Sequence, residues 1–85
     1  MKAYLQSCLT QDSVMVMLYQ KIYITDTERN LTFCGTVSSM NENRGMLSVS
    51  LLNVAVYEYS SSNYLYSEAE VSFTRPKGLL LIEEA

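Results

Sequence analysis

The chain contains no histidine, which removes the usual general base, proton shuttle and metal ligand at neutral pH. A glycine-rich phosphate loop, a nucleophile elbow and any metal-ligand spacing are also missing, so the common routes to catalysis have no foothold. Glu68 and Glu70 share a strand face, but nothing around them marks a cleft that would tune an acid and a base. The sequence therefore reads as a non-enzyme that calls for no cofactor and no metal.

Positive charge is scarce too. Six Lys and Arg face nine Asp and Glu, a net charge of −3, which is the wrong sign for a protein that neutralises many phosphates. Only two cysteines occur, Cys8 and Cys34, in apolar surroundings and at no metal-like spacing. They read as buried free thiols of a reducing compartment rather than a disulfide. Hydrophobic runs are short: Gln6, Gln11 and Asp12 interrupt the N-terminal stretch, and nothing approaches the ~20 residues needed to span a bilayer. A soluble intracellular protein is expected. Internal repeats, low-complexity segments and linkers are lacking, so residues 1–85 form a single domain.

What the chain has is apolar content, 48% against 18% charged. That composition is globular, yet 85 residues give a core that is only marginally sufficient alone, which makes help from a partner plausible. From Ala3 to Leu9 the apolar residues Tyr4, Leu5, Cys8 and Leu9 fall on one stripe at helical spacing. Thr10 to Ser13 offers N-cap chemistry, and Val14 to Leu18 reads as a buried helix or a strand. A helical segment is thus expected over about 3–20.

After Lys21 the period becomes two. Ile22 and Ile24 alternate with Tyr23 and Thr25, Asp26 to Asn30 makes a polar turn, and Leu31, Phe33 and Val37 resume a strand. Gly35 stands where backbone bends or approaches closely. Asn41 to Gly45 forms a second turn, with Gly45 suited to a positive φ. Met46 to Glu58 is a long β-prone run in which Leu47, Val49 and Leu51 face one way and Leu52, Val54 and Val56 the other; the slip implies a bulge or bend. Tyr59 to Asn63 turns into a fourth strand, Tyr64 to Phe73, on which Leu65, Ala69, Val71 and Phe73 alternate. Arg75 to Gly78 turns into a fifth, Leu79 to Ile82. The fold expected over 21–84 is a five-stranded, strongly bent antiparallel sheet closing into a small SH3-like or OB-like barrel behind an N-terminal helix.

The order of these motifs resembles the Sm and Sm-like ring proteins. Ile22, Ile24, the turn Asp26 to Asn30, Phe33 and Gly35 stand as in the first Sm motif, and Phe73-Thr74-Arg75-Pro76-Lys77-Gly78-Leu79 resembles the second. The likeness covers about residues 18 to 84. It departs where Leu47 follows Met46 in place of the asparagine that holds a uridine, and where Pro76 replaces the glycine after Arg75. The constellation for conventional uridine binding is therefore incomplete. Divergent Sm folds of the Gemin six and Gemin seven type are similar in this respect, and Tyr4 to Leu9 resembles the helix that precedes the Gemin seven domain.

The resemblance implies a heterodimer with another Sm-fold protein, fourth strand to fifth, within the survival-of-motor-neurons complex. It further implies a role in assembling spliceosomal small nuclear ribonucleoproteins, in the cytoplasm and nucleus. On this reading the partner-binding residues are Val71 and Phe73 on one edge and Leu79, Leu80, Leu81 and Ile82 on the other. Tyr4, Leu5, Cys8 and Leu9 make a helix face for core packing or a further subunit. Leu79 to Ile82 also reads as a central strand buried on both faces. A ring subunit contacting uridine-rich RNA through Arg75 and Asn41 is one alternative, and an unrelated β-barrel adaptor is another. Arg75 serves either as an RNA contact or as a hydrogen-bond donor in its turn. Tyr57, Tyr59, Tyr64 and Tyr66 form either a stacking platform for bases or cross-strand pairs and a protein interface. Asp12, Asp26, Glu28 and Glu42 read as solvated turn or cap residues.

Overall fold

A computed structural model describes residues 18–85. The stripe Tyr4, Leu5, Cys8 and Leu9 and the run to Met17 lie outside the described residues. The expected helical segment does not extend to residue 20: Leu18 and Tyr19 form a turn, with Tyr19 at φ 65°. Among the described residues the only helical element is a 3-10 turn at Lys77–Leu79.

Five strands make one antiparallel sheet: β1 Lys21–Asp26, β2 Leu31–Asn43, β3 Met46–Glu58, β4 Tyr64–Pro76 and β5 Leu80–Glu84, in the order β4-β3-β2-β1-β5. Both β4 and β5 are therefore edges, and the alternative of a central Leu79 to Ile82 strand is overturned. Every strand but β3 runs longer than its sequence pattern suggests. Arg44 and Gly45 both take positive φ, 53° and 80°, so a two-residue turn suffices and Asn41 sits inside β2 rather than in a loop. Pro76 ends β4 rather than occupying a turn, because an edge strand tolerates a residue without an N–H.

The apolar side chains gather in one core: Ile22 and Ile24 from β1, Phe33 and Val37 from β2, Leu47, Val49, Leu51, Val54 and Val56 from β3, Leu80 and Ile82 from β5. The phase slip on β3 is real, but its consequence differs from the expectation of opposed faces. Leu47, Val49 and Leu51 are buried, and so are Val54 and Val56, in the same core. Asn53 at φ 53° takes up the extra residue where the β2–β3 register shifts, a bulge that returns the later residues to the inside. Gly35 lies against this bulge, where a Cβ would meet Val54 Cγ2 at 3.0 Å and the Leu52 carbonyl at 3.1 Å.

The sheet is curled. β3 and β2 lie between β4 and β1, a separation of about 14 Å at ordinary strand spacing. Yet Arg75 Nε reaches Asp26 Oδ2 at 2.8 Å, and the rings of Phe33 and Phe73, one strand removed, are 5.2 Å apart. The β1–β2 and β3–β4 loops are latched as well, through Tyr59 N–H to the Asn30 carbonyl and Ser60 N–H to Asn30 Oδ1, each 2.9 Å.

Candidate functional site

The two edges differ in what they offer. On β5, Leu80 is 0% exposed and Ile82 7%, so these two side chains are core residues and are not available to a partner. Leu81 points out, and Leu79 is half-buried. Thr27 N–H donates to the Leu79 carbonyl and Ala85 N–H to the Lys21 carbonyl, which fixes the alternation of the ladder. The outward backbone groups of β5 are then those of Leu80, Ile82 and Glu84, and Leu80 N–H is already taken by the Lys77 carbonyl. On β4 the bond from Lys77 N–H to the Gly45 carbonyl turns the N–H groups of Ser72 and Thr74 to the open side. Val71 and Phe73 pack half-buried on the core.

The first half of β4 stands apart from that core. Residues 64–70 are exposed throughout, Tyr64, Leu65 and Tyr66 among them, so the expected alternation of Leu65 and Ala69 into the core does not hold. The β-ladder with β3 is what shapes this segment, helped by a T-shaped contact between Tyr57 and Tyr64 at 5.8 Å and a hydrogen bond between the Tyr64 and Ser67 hydroxyls. Tyr57 and Tyr64 are thus a cross-strand pair.

Asn41 and Arg75, the RNA-contact candidates, lie on opposite faces of the sheet. Cross-strand partners share a face. Asn41 pairs with Ser48, which pairs with Thr74, while Arg75 pairs with the buried Leu47. The outer face at this end is a run of small polar groups, with the Ser48 and Thr74 hydroxyls bonded to one another and those of Ser50 and Ser72 likewise, both at 2.8 Å.

Arg75 is a structural donor. Its Nε bonds Asp26 Oδ2, its Nη2 reaches Glu28 Oε1, and Arg29 Nε joins Asp26 Oδ2 at 2.7 Å. The Arg29 guanidinium also lies over the Phe33 and Phe73 rings, 5.7 Å from each centroid. Asp26 is fully buried, which corrects the reading of it as a solvated turn residue. It does hold the turn, since its Oδ1 accepts the N–H groups of Glu28 and Arg29 at 3.1 Å. The missed signal was period two: Asp26 continues Ile22 and Ile24 on the inward face. Burial pushes its carboxyl pKa up, but the hydrogen bonds from Arg75 and Arg29 outweigh that and hold it below the ordinary value. Those to Asp26 and Glu28 raise Arg75 in turn. Glu28 is exposed, and Glu42 caps the β2–β3 turn through Gly45 N–H at 3.0 Å.

Cys34 is a buried free thiol, and Cys8 lies outside the described residues. Among the described residues, no cluster of three or more metal-ligating side chains forms and no helix is long and apolar enough to cross a membrane. Searched against protein-family models and curated proteins, the chain matches none.

Proposed function

We propose that this chain is a non-catalytic subunit with an Sm-like, SH3-like small barrel. It pairs with another Sm-fold protein, edge strand to edge strand, in a survival-of-motor-neurons-type complex that assembles spliceosomal small nuclear ribonucleoproteins in the cytoplasm and nucleus. The observation that carries this reading is the strand order, which leaves β4 and β5 open, the two strands that the Sm resemblance pairs between subunits. Open edges with free N–H groups are templates for strand addition. The arginine carried over from the second Sm motif supports pairing over RNA contact, because its guanidinium is bound to Asp26 and Glu28 and Asn41 stands on the other face.

The test is the mass of the purified chain by light scattering, alone, with a candidate Sm-fold partner and with oligo-uridine. The expected result is a one-to-one complex with the partner and indifference to oligo-uridine. A closed ring that captures oligo-uridine would replace this reading with the ring-subunit alternative. Ser72→Pro locates the contact, since Ser72 N–H faces the open side and serves no ladder bond within the chain. It should abolish pairing through β4 while the chain stays folded.

A further inference from the structure

On the outer face of the sheet, away from both the core and the Asp26 cluster, Tyr23, Tyr57 and Tyr59 line one open groove of about 440 Å³. Its floor is the pair Thr25 and Thr32, whose hydroxyls bond one another at 2.9 Å. That bond uses one of the two hydroxyl protons, so the floor is partly satisfied from within the chain. Glu83 and Glu58 also line the groove, and no lining residue is basic. Glu83 stands beside Tyr23 across the β1–β5 ladder and is exposed, whereas the Glu58 carboxylate accepts from the Ser61 hydroxyl.

Tyrosine rings present a negative face, and a cation set over that face gains more as water is displaced. Carboxylates at the rim add long-range attraction of the same sign on a chain whose net charge is −3. The same carboxylates repel a phosphate backbone, which counts against stacked nucleic-acid bases as the occupant. Among cations, a guanidinium is planar and weakly hydrated, so it stacks on an open aromatic surface better than an ammonium does. We propose that this groove is a docking site for a basic peptide segment, seating an arginine side chain against the tyrosines with its charge toward Glu83. The groove opens on the face of the sheet and strand addition uses its edge, so both sites can be filled at once. The proposal does not rest on the Sm reading.

The experiment is a titration of the isotope-labelled full chain with an arginine–alanine repeat peptide, followed by amide chemical shifts. The matched peptide with citrulline in place of arginine keeps the shape and lacks the charge. Saturable shifts confined to Tyr23, Thr25, Tyr57, Tyr59 and Glu83 are expected with the first peptide and not with the second. Tyr23→Leu keeps an apolar side chain at an exposed position and should weaken binding about two- to five-fold. Glu83→Gln should weaken it about two-fold and flatten its salt dependence. Equal binding of the citrulline peptide, absence of saturable shifts in the groove, or unchanged affinity in Tyr23→Leu would each overturn the proposal. Groove shifts produced by oligo-uridine instead would assign the surface to bases. Ser72→Pro should leave the titration as it is, which separates failure here from failure of edge pairing.

Discussion

β5 and β4 hold equivalent places in the topology, at the two ends of one sheet, and they are built in opposite ways. β5 has five residues and sends Leu80 and Ile82 into the core, at 0% and 7% exposure. β4 has thirteen, and its first seven lie open to solvent. The burial of β5 side chains is a reason for the sheet to fold, because each such residue contributes about 1.5–3 kcal/mol. The open half of β4 carries Tyr64, Leu65 and Tyr66 without that return. The apolar run is therefore the strand that the core uses, and the exposed apolar side chains sit on the strand with the more mixed sequence.

Leu80 carries the largest share of what β5 gives the fold. Leu80→Ala empties a fully buried site and should cost about 3–4 kcal/mol in urea unfolding, a large share of the roughly 5–15 kcal/mol that holds a small domain. Next comes Asp26→Asn, which removes the charge that joins β1 to β4. Asp26 has no exposure while Arg75 and Arg29 keep some, so the loss should fall at the lower end for a broken buried pair, about 3 kcal/mol. The pH dependence has a definite sign. A carboxyl whose folded pKa lies below its unfolded value stabilises fully above the ordinary carboxylate range, and that contribution is lost as pH falls through the folded value. Urea midpoints measured down that range should drop in the native chain, and the part due to Asp26 should vanish in Asp26→Asn. Gly35→Ala ranks third, at about 1–3 kcal/mol, because the new Cβ would press on the Leu52 carbonyl and the Val54 and Leu51 side chains at 3.0–3.2 Å. An unchanged midpoint there would mean that the β2–β3 bulge yields easily.

Much of this was legible in residue order. Period-two alternation from Ile22 onward suffices to expect the strands, the Leu51–Leu52 slip to expect a bulge or bend, and Gly35 to expect a bend or close approach of backbone. The strand pairing that makes both β4 and β5 edges is nonlocal, and no periodicity carries it. The same holds for the site. Arg75 was visible as a conspicuous turn arginine, but its partner Asp26 is 49 positions away and reads locally as a turn carboxylate. Which face Asn41 takes depends on how far β2 runs, and that hinged on Arg44 accepting a positive φ, an uncommon conformation for a long side chain. The tyrosine groove escaped for a similar reason. Tyr23 and Tyr57 are distant in sequence and line one groove only because β1 and β3 flank β2.

Leu65 separates folding from association more cleanly than any core residue. Leu65→Ser replaces a residue that is 46% exposed on the part of β4 that the core does not reach. In the isolated chain it should change unfolding free energy by no more than about 0.5 kcal/mol, as surface substitutions do. Nothing in the ladder to β3 depends on that side chain, since Leu65 falls at the register shift between the Val56–Tyr66 and Tyr57–Tyr64 pairs. Association is another matter: a leucine covered by a partner loses its apolar contact on becoming serine, and the complex should weaken by about ten-fold or more. Paired measurements of urea midpoint and complex mass on the same variant separate the two roles. A fall in stability of the free chain comparable to that of Leu80→Ala would mean that β4 is held by contacts of its own, and the contrast between the edges would disappear.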